Sequence, residues 1–135
     1  HYNMFERAKF EHELMSVFER YGYGSTIWSP LASGVLSGRY DDGIPEDSRM
    51  HREQWLQGGL TPKRVDTVKH LAPIADALGC TRSQLAVAWC LKNPHVTTVI
   101  TGASRLSQLD ENLGALDVAE RLDESAMSQI ADVLA

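Results

Sequence analysis

Two short segments rich in β-branched and aromatic residues, 26–28 and 96–101, are the stretches of this sequence that predict β-strands. Residues 29–95 lie between them and contain segments with helical periodicity. A connection of that length with helices in it is typical of parallel strands, so the pattern predicts an α/β fold. Because two strands do not make a stable parallel sheet, we expect that further strands are missing from the front of the chain.

Helical periodicity and end signals predict five helices around these strands. Thr61 followed by Pro62 is a helix start, and Thr81 with Gln84 forms the capping-box pattern of the next helix. Leucines at helical spacing predict a single helix after Ser104. The predicted helices cover residues 5–21, 62–78, 82–92, 106–116 and 123–134, and residues 31–60 form a long loop that holds short helical turns.

The composition narrows the class of protein. Apolar residues make up 43% of the chain and charged residues 23%, which is ordinary for a globular protein. The 13 basic and 18 acidic residues give a net charge of −5, which argues against a general binder of nucleic-acid phosphates. The sequence has no apolar run long enough for a membrane span, and because it does not open with a charged segment followed by an apolar one, we expect no secretion signal. We therefore expect either a processed N-terminus or a piece of a longer chain.

Neither the cysteines nor the histidines predict a metal site. Cys80 and Cys90 are too few for a disulfide scaffold and lack metal-ligand spacing, so a reducing, cytosolic setting is the default interpretation. Gly22 and Gly24 resemble half of a dinucleotide-binding motif, but they precede a predicted strand instead of following one. The five histidines show no ligand spacing and are expected at the surface: His1, His12, His51, His70 and His95.

The segment after the first predicted strand, residues 28–34, is one candidate site. In parallel α/β proteins, functional groups gather at the carboxyl ends of the strands. Trp28 offers a flat apolar surface to a planar ring. Ser29, Ser33 and the backbone amides around Gly34 offer hydrogen bonds to a phosphate. The alternative interpretation is a buried tryptophan followed by a capped turn, which serves packing alone.

Residues 101–105 are the second candidate site, because they also join a predicted strand end to a helix. Gly102 lets the backbone come close to a ligand, and the free amides of a first helical turn attract an anion, to which Arg105 adds charge. The alternative is a helix capped by Ser104 with a solvated polar face. Since both segments follow strand ends, we expect one shared anion site. Polar side chains continue along the early turns of the helix: Gln108, Glu111 and Asn112.

Several blocks of the sequence, in the same order and covering essentially the whole chain, resemble the aldo-keto reductases. More narrowly, they resemble the β-subunits of voltage-gated potassium channels and their microbial relatives. The matching blocks are residues 2–5 (YNMF), 28–40 (WSPLASGVLSGRY), 43–45 (GIP), 48–49 (SR), 54–56 (QWL), 78–81 (LGCT), 84–91 (QLAVAWCL), 102–104 (GAS) and 108–112 (QLDEN).

The resemblance implies a (β/α)8 barrel, which typically needs about 250 residues. Residues 1–135 would supply only its C-terminal portion, an incomplete domain with about strands seven and eight and their flanking helices. The two predicted strands would then be strands seven and eight, which agrees with the shortage of strands.

The resemblance also implies an NADPH site at the mouth of that barrel. Trp28 would stack on the nicotinamide, and Arg39 stands where the channel subunits carry a lysine beside the pyrophosphate. Gly102 would let the cofactor approach the backbone, and Glu111 and Asn112 would face the adenine.

Two further groups complete the implied cofactor site. Arg49, Ser104 and Gln108 would hold the 2′-phosphate, and arginine suits a bidentate phosphate contact. Many family members have a cysteine at the position of Ser33, which is a mild departure. The residues implied along the ribose and pyrophosphate are Ser29, Pro30, Leu31 and Ser33.

No catalytic residue is assigned in this chain. The family draws its Asp, Tyr, Lys and His from the first half of the barrel, and Tyr23 and Tyr40 do not stand at the position of the catalytic tyrosine. The substrate is likewise not readable, because its pocket is built largely by loops outside this chain.

The resemblance leaves three functions open. In the first, the chain would be the NADPH-binding part of a reductase that transfers hydride to aldehydes or ketones, and it would be inactive alone. The second is a regulatory subunit that senses the cofactor, with a channel or a homo-oligomer as partner. The third is an inactive truncated gene product, whose open strand edges and apolar helix faces would be aggregation hazards. We expect a cytoplasmic protein without nucleic-acid binding, membrane insertion or metal.

Overall fold

The computed structural model describes residues 1–135 and has the mixed α/β architecture that the sequence predicts. A π-helical turn, Lys9–Glu13, precedes the first α-helix. The α-helices are α1 (Met15–Tyr21), α2 (Arg49–Arg52), α3 (Pro62–Ala77), α4 (Arg82–Leu91), α5 (Leu106–Leu113), α6 (Ala115–Arg121) and α7 (Glu124–Val133). The strands are β1 (Ser25–Trp28) and β2 (Val96–Ile100).

Strands β1 and β2 pair in parallel and form a two-stranded sheet, which confirms the predicted parallel arrangement. Thr26 lies opposite Thr98, and Trp28 lies opposite Ile100. Helices α3 and α4 lie in the connection between the strands. Because both strands run the same way and end opposite each other, the segments that follow them begin side by side.

The helices cover one side of this sheet and enclose the core. Helix α4 packs against β2, α3 and α6, and α7 packs on α3. The core is a cluster of 23 buried residues, to which β1 contributes Ile27, α4 contributes Leu85 and α7 contributes Ile130. Burial of these apolar side chains stabilises the chain through removal of their surface from water.

The β-branched and apolar composition of both strands predicts that they are buried, and this is wrong for the opposite side of the sheet, which is bare. Trp28 is 54% exposed and Ile100 is 53% exposed, and Thr26 and Thr98 lie in solvent beside them. Only Ile27 is buried in the first predicted strand. The β-branched composition suits a strand covered on both faces, but no helix of this chain reaches the second face.

The single helix predicted over residues 106–116 is two helices, because the chain breaks at Gly114 between α5 and α6. A Cβ at Gly114 would lie 2.5 Å from the side-chain nitrogen of Gln84, so a glycine there allows α4 to approach closely. The leucine spacing across the break is kept, but its side chains face solvent: Leu106, Leu109, Leu113 and Leu116 are 72%, 43%, 58% and 57% exposed.

The predicted helix over residues 5–21 is also shorter than expected. Its first residues form a turn, since the Asn3 side-chain oxygen accepts hydrogen bonds from the amides of Phe5 and Glu6 at 2.9 and 3.1 Å. The π-helical turn and α1 follow, and α1 ends at Gly22, which has the predicted left-handed conformation with φ of 63°.

The other end signals are confirmed. The Thr61 hydroxyl accepts from the Arg64 amide at the start of α3, and Thr81 and Gln84 form the predicted capping box of α4. Asp123 caps α7 by accepting from the Ala126 amide. The long loop over residues 31–60 holds α2 and two 3₁₀ turns, Ala32–Ser37 and Gln54–Gly59, as expected of a loop with short helical turns.

Candidate functional site

The carboxyl end of β1 presents Trp28 to solvent, so the alternative of a buried tryptophan at this position is wrong. Its indole ring stacks with the imidazole of His1, with ring centroids 4.5 Å apart and planes inclined by 20°. The geometry shows that this side chain accepts a planar ring on its face. Apart from this stack, the exposed Trp28 side chain does not pack in the core of the chain.

The backbone that follows Trp28 is unusual. Ser29, Ala32 and Ser33 all have positive φ angles, of 60°, 48° and 58°, in a region that non-glycine residues rarely adopt. Such conformations cost energy and persist only where surrounding contacts hold them. The buried Asn3 amide supplies one such contact by donating to the Ser29 carbonyl oxygen at 3.0 Å.

Arg39 forms an ion pair with Asp47 in the loop that follows β1. Its Nη2 lies 2.7 Å from Oδ1 of Asp47, while its Nε is buried without a hydrogen-bond partner. The Arg39 guanidinium lowers the pKa of Asp47 through this hydrogen bond and its charge, and Arg105 adds to the effect. Arg105 follows β2, so the loop after the second strand also contributes positive charge that acts on Asp47.

Arg49 begins α2 and lies on the surface, where its Nε is 3.2 Å from Oε1 of Glu53. The preceding residue, Ser48, is buried and caps the helix by accepting from the His51 amide. The loop therefore fixes the backbone beside Arg49 while the guanidinium stays accessible.

The loop after β2 brings Ser104 and Gln108 together. The amide and the hydroxyl of Ser104 both donate to Oε1 of Gln108, at 2.8 and 3.1 Å. The alternative of a serine-capped helix is wrong, since the residue at the cap position of α5 is Arg105 and its side chain makes no capping bond. The Ser104 amide is thus engaged by a side chain in this structure.

The remaining predicted residues differ in their surroundings. A Cβ at Gly102 would meet no atom within 4 Å, so its backbone lies open. Glu111 accepts from the Thr81 hydroxyl at 2.7 Å, and Asn112 is 9% exposed. Leu31 and Ser33 are partly buried, Leu31 against the core, and Pro30 is buried in the same turn.

Two residues at this edge escaped the sequence analysis. Asp47 carries no spacing signal, because it reaches Arg39 across a loop that no periodicity describes. Asn3 has a weak signal, since asparagine ahead of a helical pattern is typical of a turn in which its side chain bonds the backbone two or three residues later.

The chain contains no group of three or more histidine, cysteine or acidic side chains arranged to hold a metal ion. None of its helices is long and apolar enough to cross a membrane. The chemistry available at the strand ends is therefore an exposed aromatic face, hydroxyl and amide hydrogen-bonding groups, and arginine side chains. That combination suits a ligand with a planar ring and phosphate groups.

Comparison with known proteins agrees with this chemistry. The family model for the aldo/keto reductase family matches residues 1–135. The chain is 44% identical over 138 residues to a putative voltage-gated potassium channel subunit beta of Schizosaccharomyces pombe, covering 98% of this chain and 40% of that protein. It is 47% identical over 137 residues to a probable voltage-gated potassium channel subunit beta of Arabidopsis thaliana, covering 98% and 42%. The chain therefore spans about two fifths of the length of these relatives.

Proposed function

The chain belongs to the aldo/keto reductase family, and from that premise we propose that it forms the C-terminal, nucleotide-binding part of a (β/α)8 barrel. In this proposal β1 and β2 are strands seven and eight, and residues 1–135 are an incomplete domain. The bare side of the sheet supports it, since a barrel fills its interior with side chains from every strand. The exposed Trp28 and Ile100 would then belong to that interior or its mouth.

We propose NADPH as the ligand of the strand ends, in a family that uses nicotinamide nucleotides. The observation that carries this proposal is the exposed Trp28, which already stacks with a planar ring at 4.5 Å. Arg39 fits a pyrophosphate, because its buried Nε lacks a partner. Ser29, Leu31 and Ser33 follow Trp28 in a fixed turn, and with Pro30 they would lie along the ribose and pyrophosphate.

The 2′-phosphate would be held by Arg49, with Ser104 and Gln108 on the facing loop. Arg49 is exposed and its partner Glu53 is also on the surface, so exchange of that partner for a phosphate costs little. The Ser104 hydroxyl and the Gln108 amide keep hydrogen-bonding capacity beyond their mutual contact. In the loop before the helix Gly102 would let the cofactor approach the backbone, and on the helix Glu111 and Asn112 would face the adenine.

When bound, the cofactor supplies a hydride to the carbonyl carbon of an aldehyde or ketone. The residues of this chain bind and orient it. Trp28 holds the plane of the ring, and the arginines neutralise phosphate charge. The proton for the carbonyl oxygen would come from the part of the barrel outside these residues, so the chain alone is proposed to be inactive. Its two free cysteines suit the reducing conditions of a cytoplasmic protein.

Calorimetric titration of the chain with NADPH and NADH tests this proposal. We expect saturable binding of NADPH that Trp28→Ala weakens about tenfold, since the lost aromatic contact is worth on the order of 1 kcal/mol. Trp55→Ala is the matched control, because Trp55 is also exposed, at 75%, but lies in the 3₁₀ turn Gln54–Gly59 and does not follow a strand. Arg49→Gln should lower NADPH affinity and leave NADH affinity unchanged. Equal affinities in the wild type and Trp28→Ala would contradict the proposed site.

A second candidate function rests on the names of the relatives, which are putative or probable channel subunits. In that case the same nucleotide site would serve a regulatory partner of a potassium channel. Copurification of the full-length protein with a potassium channel from its own cells would support this function. Its absence, together with carbonyl reduction by the full-length protein, would favour the enzyme.

A further inference from the structure

Arg39 and Asp47 lie in the loop between the 3₁₀ turn Ala32–Ser37 and α2, and their ion pair closes that loop. The side chain of Arg39 is 32% exposed, whereas that of Asp47 is 73% exposed. The cation is thus partly enclosed by its surroundings, and the carboxylate reaches it from solvent. An exposed carboxylate in such a pair is readily exchanged for another anion, because exposed ion pairs contribute little net stability.

The pairing uses only part of the Arg39 guanidinium. Nη2 contacts Oδ1 of Asp47 at 2.7 Å, while the neighbouring Nε is buried and has no partner. A buried donor without a partner is costly, and an oxyanion that accepts from Nε and Nη2 together removes that cost. A phosphate group presents several oxygens and therefore satisfies this donor pair better than the single contact of Asp47 does.

The surroundings of the ion pair also match an anion site. Arg39 lines a recess of about 350 Å³ together with Gly38, Asp42 and Gly43. Arg105, on the loop after β2, also acts electrostatically on Asp47. The Asp47 carboxylate is therefore influenced by positive side chains from both strand-end loops.

We propose that Asp47 competes with the phosphates of the nucleotide for Arg39, so that binding exchanges the carboxylate for a phosphate on the same guanidinium. This inference rests on the proposed nucleotide-binding function. Asp47 then sets how tightly the site binds phosphate, and it lowers affinity most at low ionic strength, where the ion pair and the repulsion of phosphate are least screened.

Asp47→Asn in the full chain tests the competition, with NADPH and inorganic pyrophosphate as separate ligands in calorimetry. The variant should bind both about fivefold more tightly at low salt, because a nearby negative charge and a competing ion pair are removed together. The gain should shrink towards unity at about 0.5 M salt, where the Debye length falls to a few ångströms.

Asp42→Asn is the matched control, since it removes one negative charge from the recess that Arg39 lines, and Asp42 makes no ion pair with Arg39. Its gain should stay well below that of Asp47→Asn. In an Arg39→Gln background, Asp47→Asn should give no gain, which assigns the effect to Arg39. Circular dichroism confirms that the variants remain folded.

The outcomes separate this inference from the proposed function. Wild-type affinity in Asp47→Asn, or equal gains in Asp47→Asn and Asp42→Asn, overturns the competition and leaves nucleotide binding standing. A gain that persists in the Arg39→Gln background also overturns it. The absence of NADPH and pyrophosphate binding in every protein overturns the proposed function, and this inference with it.

Discussion

On the helix-covered side of the sheet Ile27 is 2% exposed, whereas its neighbour Trp28 on the other side is 54% exposed. The helices repeat this contrast, since Leu71 on α3 is 1% exposed and Leu113 on α5 is 58% exposed. All four residues lie in regular apolar patterns. Periodicity marks a face that suits a packing partner. It does not show that the partner lies within the same chain.

The largest expected effect concerns the free energy of unfolding, which should depend on a buried leucine far more than on an exposed one. Leu122→Ala removes a fully buried side chain and should lower the free energy of unfolding by about 2–5 kcal/mol, because it leaves a cavity. Leu113→Ala removes the same atoms from an exposed position and should cost under about 1 kcal/mol. Urea unfolding measures both. Similar losses would show that Leu113 is covered in solution, for instance by self-association.

A smaller effect is expected at the junction between the two sides. Asn3 is fully buried, and its side chain bonds the amides of Phe5 and Glu6 and the carbonyl of Ser29. Asn3→Ala should cost about 1–3 kcal/mol, since it leaves the Phe5 amide without a partner and removes a second bond from the Glu6 amide and from the Ser29 carbonyl.

Gln57→Ala is the control for Asn3→Ala, because the Gln57 amide makes one bond, to the Met50 carbonyl, in a partly exposed loop. Its cost should be about 1 kcal/mol or less. Equal unfolding energies for Asn3→Ala and the wild type would mean that the turn after β1 is held by other contacts.

A single unit of alkaline pH gives the smallest expected effect, and it probes the covered side alone. Burial raises the pKa of the Cys90 thiol to about 12, so the folded chain keeps a proton that the unfolded chain releases above about pH 8.5. The free energy of unfolding should therefore fall as the pH rises from about 9 towards 12, by at most about 1.4 kcal/mol per pH unit from this group.

Cys90→Ala should remove that contribution to the slope between about pH 9 and 9.5, where Tyr2 in the unfolded chain is still mostly protonated. Cys80→Ala should retain it, because Cys80 is only partly buried. Urea unfolding at several pH values measures the slopes, and an unchanged slope in Cys90→Ala would count against a buried, protonated thiol.

The sequence predicted the elements whose determinants are local. The caps at Thr61, Thr81 and Asp123 and the stop at Gly22 depend on side chains within a few residues, and the structure confirms them. The break at Gly114 was missed because the leucine spacing continues across it unchanged, so the pattern predicts one helix.

The candidate site shows the same division. Its position at two parallel strand ends followed from the strand pattern, and the exposed Trp28 is where the first segment placed it. The pairing of Arg39 with Asp47 and of Ser104 with Gln108 did not follow, since loop geometry decides which polar groups meet. The burial of the strands was overestimated because composition does not show which face lacks a cover.

We propose that the two strand ends form one nucleotide site. NMR titration of the ¹⁵N-labelled chain with NADPH follows both strand ends in one experiment. We predict saturable amide shifts in both 28–34 and 101–105, with a single affinity and with smaller changes across α3 and α7. Shifts confined to one of these segments, or found only elsewhere in the chain, would contradict a shared site at the end of the sheet.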